Sequence, residues 1–430
     1  MASPRLIGFL VFTVPALILI VPGAGETACG ILAFLGLVKI IRERRNPLAE
    51  PGNRFLAVIC WGFLLVAIIS VLAAGASTEG FRRLGTSIHF LLAPLIGILF
   101  LNTPGIFTRF IQGVKAGAIL AGIVALGQLI VRPDAPANGV VNEIVFGDLA
   151  LLLGFLAMVG FFKETSKEKT VSAIALGLGL VAALLSETRS TWVAAPILTL
   201  VLMIIWWKGG HLSTRRLAIT FSAAVLAAII CVSTPVFQHR YSQLVDELKN
   251  PGDYSEVTSI RERLVMWKAG WKTSFDAPLL GHGLHQANQA VLPQVESPNY
   301  QQRIAGYTHL HNEFVNTLVG KGLLGLASLL LLLFGPVLLL SRSLKPGPDY
   351  TCASISILVC LGFAIFGLTN LAFGHGIMNT FFVFIIAIAL NQVRQESLVL
   401  ETSTSPNKFN DPIPAPTETL SVKTRTEPQA

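Results

Sequence analysis

Long apolar blocks recur along almost the whole chain, at residues 6–22, 27–41, 54–74, 86–101, 109–131, 142–162, 170–186, 191–207, 217–237, 312–341, 351–373 and 376–391. Each approaches the roughly 20 residues that carry a helix across the hydrocarbon of a bilayer. In lipid, only helices and closed barrels satisfy their own backbone polar groups. These blocks are continuous rather than alternating, so they read as helices. Composition agrees: charged residues make up 13% of the chain, against roughly 25% in soluble proteins. The expected fold is all-α, a polytopic membrane protein of about twelve spans.

Positive charge sets the expected orientation. "RERR" at 42–45, "KETSKEK" at 163–169, "KGGHLSTRR" at 208–216 and the basic stretch 342–345 all fall on one side of such a layout. Alternate connections such as "VPGAGE", "RPDAPANG" and "FGHG" are poor in Lys and Arg. The basic side is expected to be cytoplasmic, and an even number of spans puts both termini there. The chain then divides into nine spans over 1–237, a long outer loop at 238–311, three spans over 312–391 and a cytoplasmic tail at 392–430. The tail is rich in Thr, Pro and Ser with no apolar period, and is expected to be disordered. The five cysteines (29, 60, 231, 352 and 360) lie in or beside apolar blocks without CxxC spacing, which argues against disulfides and zinc.

Several basic residues fall on the outer face against the usual bias: Arg82, Arg83, Arg132, Arg189, Arg261, Arg263, Lys268, Lys272 and Arg303. Long loops cross regardless of charge, and long side chains snorkel toward headgroups. That reading is weakest for Arg189, in the short turn "SETRSTW". An arginine at a membrane boundary suits phosphate, because its planar fork donates parallel hydrogen bonds and keeps its charge. A second source is "SIRERLVMWKAGW", residues 259–271, where helical spacing clusters Arg263, Trp267 and Lys268 with Arg261 on a flank. The same pattern would serve a plain amphipathic anchor in the interface. "PLLGHGLHQAN" then offers a glycine turn at 281 and 283 with His282 and His285 exposed. No metal site is expected from these histidines, since neither their spacing nor any HExxH or DxD arrangement supports one.

The entry to the tenth block, "HLHNEFVNTLVGKGLLGL" at 309–326, places His309, His311, Asn312 and Glu313 at the edge of lipid. A helix beginning near His311 would put His311, Val315, Leu318, Gly322 and Gly325 on one face. His311 could cap or sit in the interface, or could serve as a general base, since its pKa lies near working pH. Glu313 suits the positive end of the helix.

Together these stretches resemble a known pattern. "HNEFVNTLVGKGLLG" is similar to the signature of the O-antigen ligase and polymerase superfamily, and "RLVMWKAGW…PLLGHGLH" to the segment that leads into it. "SETRSTWVAA" looks like that superfamily's short arginine-bearing turn, and the long outer loop between the ninth and tenth spans matches too. The resemblance implies a GT-C-like membrane glycosyltransferase of lipopolysaccharide biosynthesis, at the periplasmic face of a bacterial inner membrane. The implied donor is a glycan on undecaprenyl diphosphate, and for a ligase the acceptor is a sugar hydroxyl of lipid A–core oligosaccharide. Carried over, the essential histidine falls on His311 and the diphosphate-binding arginines on Arg189 and on Arg261 or Arg263. Arg82, Arg83, His282, His309 and Asn312 are further candidates for phosphate or acceptor contacts. Transfer with inversion, a His311 base and arginines in place of a metal needs no cofactor. Membrane lipid is an expected partner and nucleic acid is not.

A polymerase joining two lipid-linked glycans and a protein O-oligosaccharyltransferase share the His-Asn signature. Short outer connections elsewhere favour a ligase. A secondary transporter is the alternative of a different class. It fits poorly, because the long loop follows the ninth span and the polar residues gather at one face rather than at the midplane.

Overall fold

The computed structural model describes residues 3–101, 103–219, 222, 242, 259–341, 344 and 350–404, with side chains in the last helix to Gln392. Among these residues the structure is helical, without strands. In chain order the helices are α1 (Pro4–Leu17), α2 (Ala24–Glu43), α3 (Pro51–Ala73), α4 (Thr78–Gly85), α5 (His89–Phe100), α6 (Ile106–Val131), α7 (Glu143–Ala157), α8 (Ser166–Leu185) and α9 (Arg189–Lys208). There follow α10 (Ser259–Thr273), α11 (Ala287–Ala290), α12 (Pro298–Ala305), α13 (Glu313–Leu340), α14 (Tyr350–Gly367) and α15 (Gly376–Thr404). Nine described helical stretches are long and apolar enough to cross a membrane, with α4 and α5 counted as one, and α1 and the first part of α15 are shorter apolar helices. Eleven of the expected spans are thus found as helices, and the remaining one, 217–237, lies outside the described residues except for 217–219 and 222. The last helix continues past the expected boundary at 391 to Thr404.

Local signals explain the starts of these helices. Thr165 and Glu168 form a reciprocal capping box at α8, Asn142 caps α7 through Val145 N, and Pro51 opens α3. Such caps satisfy amide groups that the first turn leaves unpaired. Burial sorts the helices into layers. In α7 and α14, 83% and 89% of the apolar window is buried, and residues 378–392 of α15 are buried throughout, so these three form the centre. Peripheral helices turn Phe9, Phe34, Ile41, Val58, Leu72 and Leu184 outward, as a surface solvated by lipid tails requires. Small residues bring backbones together: any side chain at Gly36 would meet the Leu95 carbonyl, and one at Gly117 the Pro15 carbonyl.

One break matters for the site. Within α13, Gly322 leaves helical geometry at φ 64, ψ −163, a conformation essentially restricted to glycine. The carbonyls and amides freed there are taken up by the segment 278–283. His282 N and Gly283 N donate to Val319 O and Gly320 O at 2.8 and 2.9 Å, and Leu323 N donates to Pro278 O at 2.7 Å. Ser70 Oγ adds a 2.7 Å bond to Gly320 O. "PLLGHG" is therefore the backbone partner of "GKG". A side chain at Gly322 would strike the Leu279 carbonyl. Gly322→Ala is expected to cost about 1–3 kcal/mol, read as a lower melting temperature of the purified protein in detergent. An unchanged melting temperature would contradict this pairing.

Candidate active site

Residues 259–312 pack as a small unit against one end of the bundle. Its core, Met266, Ala269, Val291, Tyr300, Ile304 and Leu310, packs together with Val319 of α13. The outward alternation of α10 now has a cause: Met266 and Ala269 face that core while Leu264 and Trp271 stay exposed. Trp267 Nε1 donates to Leu310 O at 3.0 Å, which ties α10 to the strand of chain leading into α13.

Arg261 and Arg263 lie two residues apart on α10, so they point about 200° from one another. Arg261 is buried, at 8% exposure. Arg263 is half-buried and its charge interacts with those of Arg189 and His311. Burial and the neighbouring Arg189 lower the Arg263 pKa. Arg189 itself starts α9 after the Thr188 N-cap and is exposed. Between the two arginines of α10, Glu262 is buried at 2% exposure. It accepts from Arg303 Nε and, at 2.7 Å, from the Tyr307 hydroxyl. Glu262 thereby fixes Tyr307, whose ring meets the His311 ring edge-on with centroids 5.0 Å apart.

His311 stands just before α13 rather than inside it. Asn312 is the cap, its Oδ1 accepting from Phe314 N and Val315 N at 3.0 Å each and its Nδ2 donating to Leu368 O at 3.1 Å. His311 has φ 48, so the expected stripe from His311 down to Gly325 does not form: the helix begins at Glu313 and breaks at Gly322. Asn312 likewise has both ends of its amide occupied by backbone and acts as a positioning residue. The His309 and His311 rings sit 4.2 Å apart, and His311 N donates to His309 Nδ1 at 3.1 Å. A neutral His309 must then hold its hydrogen on Nε2. His311 Nδ1 is buried with no hydrogen-bond partner among the described residues.

Electrostatics keep both rings neutral at pH 7. Burial first, then the Arg263 charge, lowers the His311 pKa to about 4, with Glu262 opposing. Burial, with His311, His375, Arg83 and Arg263 adding to it, lowers His309 to about 3. The expected pKa near working pH is therefore not met: burial and Arg263 leave His311 in the neutral, proton-accepting state of a general base but less basic than a free imidazole.

The other sequence candidates separate. The His282 ring bonds Thr273 O at 3.1 Å, which ties it to the end of α10 and away from the His309–His311 pair. Arg82 and Arg83, in the last turn of α4, both bond Glu79, and Arg83 Nη1 reaches Thr308 O at 2.8 Å. They reach the rim of a cavity of about 250 Å³ shared by His309, His375, Glu313 and Lys321. Glu313 is more than a partner for the helix end: at 4% exposure it accepts from Phe373 N at 2.9 Å and Thr317 Oγ1 at 3.2 Å. Glu262, Tyr307, His375 and Lys321 were not singled out by sequence. Lys321, alone in a long apolar run, carried the clearest missed signal.

The cluster of Arg189, Arg263 and His311 lies within a segment that can be compared with known proteins. Residues 174–344 match the model of the O-antigen ligase family. The match spans both arginines, the histidine pair and the break at Gly322. An uncharacterized protein of Haemophilus influenzae is 23% identical over 378 residues, covering 85% of this chain and 92% of that protein. The O-antigen ligase of Escherichia coli is 26% identical over 152 residues, 35% of this chain and 36% of that protein. With the apolar helices, this similarity supports a membrane glycosyltransferase of the ligase or polymerase type.

Proposed function

We propose that the protein is an O-antigen ligase of the bacterial inner membrane, acting at its periplasmic face with both termini in the cytoplasm. It transfers glycan from undecaprenyl diphosphate to a sugar hydroxyl of lipid A–core oligosaccharide. The observation that supports this most is the grouping of Arg189 and Arg263 beside a neutral His311 at one end of the bundle. Two arginines whose charges repel when the site is empty are relieved by a diphosphate, which each can bind through parallel hydrogen bonds. Of the two candidates on α10, Arg263 is the diphosphate ligand, and buried Arg261 supports the helix.

In the reaction, the acceptor hydroxyl attacks the anomeric carbon from the face opposite the diphosphate. The new C–O bond forms as the bond to the diphosphate oxygen breaks, and the hydroxyl proton passes to His311. One displacement inverts the anomeric centre. The arginines stabilise the charge that develops on the departing diphosphate, and Glu262 lies close enough to favour the imidazolium once it forms.

Expression in cells lacking their own ligase tests the reading: capped lipopolysaccharide is expected, and uncapped core with normal membrane levels of the protein contradicts it. Because arginines supply the compensating charge, transfer by the purified protein is expected to proceed unchanged in EDTA. Loss of activity in chelator, restored by a divalent ion, would overturn a metal-independent mechanism.

A further inference from the structure

The cavity beside the histidines contains a group that the transfer mechanism leaves unused. Lys321 is 3% exposed and lines the cavity. Its ammonium sits 4.1 Å from the centroid of the Phe63 ring and donates no hydrogen bond to a described residue. Glu313 interacts with its charge, yet the Glu313 carboxylate is already occupied by Phe373 N and Thr317 Oγ1. A buried ammonium has three donors, and a ring face satisfies the charge without satisfying them. Such a group inside a bundle is costly unless a ligand completes it.

The surroundings say what kind of ligand. Around the cavity stand Arg82 and Arg83, which share Glu79, and Lys321 beside Glu313, three cations against two carboxylates, with His309 and His375 also in its wall. The lining therefore favours an oxyanion. Asn316, Thr317 and Ser87 add neutral hydrogen-bonding groups, a mixture suited to sugar hydroxyls. Position separates this cavity from the donor site. Neither Arg189, Arg263 nor His311 lines it, and His309 stands between, touching the His311 ring on one side and the cavity on the other. A neutral His309 with its hydrogen on Nε2 has that donor available to a ligand.

We propose that the cavity is a subsite for a carboxylated or phosphorylated sugar of the acceptor glycolipid, held by Lys321 beside the hydroxyl that His311 deprotonates. This deepens the ligase reading and rests on it for the word acceptor. Lys321 is a specificity-determining residue here, and the two cation groups on either side of the histidine pair hold the two substrates apart.

Binding is measured first, with the full-length protein in nanodiscs and no donor present. Glucuronate and glucose 6-phosphate are expected to raise the melting temperature more than glucose or inorganic phosphate, and Lys321→Gln is expected to weaken this by about tenfold in apparent affinity. Arg82→Gln, on a side chain 71% exposed, is expected to weaken it in the same direction by less, and it decides the matter if Lys321→Gln does not fold. Equal responses to glucose, a response to inorganic phosphate as large as to the sugars (an adventitious ion only), or unaltered binding in the folded variants would overturn the subsite. This arm reads the cavity even if no transfer occurs, so it can fail or succeed independently of the ligase reading. In transfer assays, Lys321→Gln is expected to raise the acceptor KM about tenfold and to leave the donor KM unchanged. A rise in donor KM instead would place Lys321 in the donor site. Comparing native with enzymatically dephosphorylated lipid A–core distinguishes the sources: a Lys321 effect lost on dephosphorylation identifies phosphate, and one retained identifies carboxylate.

Discussion

His311→Ala is expected to lower glycan transfer by about 10³-fold, in the range that loss of a positioned general base produces, while the protein stays in the membrane at normal levels. His311 is suited to that role because it is half-buried, neutral and held by its surroundings rather than by hydrogen bonds to its own ring. Tyr307 abuts it at 5.0 Å and His309 at 4.2 Å, while Glu262 anchors Tyr307 through a 2.7 Å bond. Substitution removes only the imidazole, because the cap of α13 belongs to Asn312. The melting temperature should therefore change little. Near-normal capping of lipopolysaccharide by His311→Ala in cells without another ligase would refute the base assignment.

Arg263→Ala is expected to reduce kcat/KM for the lipid-linked donor by about 10²–10³-fold, the size seen when one preorganised charge-stabilising donor is removed. Arg189→Ala should act in the same direction. The double variant should cost less than the product of the two, since each arginine's burden includes repulsion from the other. Arg263 also has a signature that a structural role would not produce. Its charge helps hold the His311 pKa at about 4. A base works unprotonated, so activity is present above that pKa and lost as pH falls through it. Removing Arg263 takes away a repulsion of the imidazolium, the His311 pKa rises, and the acid limb of kcat/KM moves to higher pH. Arg263→Lys should keep the limb near its original position while losing donor affinity. An acid limb that stays put in Arg263→Ala would separate the two residues.

Much of the fold is legible in the chain because lipid imposes a strong rule: a long continuous apolar block must be helical. Even the short block at 27–41 is a full helix, Ala24–Glu43. The motifs single out His311 and Arg189, and the structure brings both near Arg263. What sequence could not supply was the direction of each side chain around the break. Periodicity extended α13 back to His311 and through Gly322, whereas a left-handed His311, an Asn312 cap and a glycine-only conformation at Gly322 interrupt it at both places. Those interruptions depend on backbone partners far away in sequence, Leu368 and the segment 278–283, which no local window contains. The proposed preference for Arg263 over Arg261 likewise rests on which face of α10 packs inward. Lys321, a single lysine in an apolar run, signals function without indicating its partners.

The most direct test of the account is reconstitution of the purified protein in liposomes with an undecaprenyl-diphosphate-linked glycan and lipid A–core, with products resolved by mass spectrometry. Wild type is expected to yield core carrying the glycan with inverted anomeric configuration, and His311→Ala to yield none above background. Longer lipid-linked glycan, glycosylated protein, or capped core formed equally well by His311→Ala would contradict it.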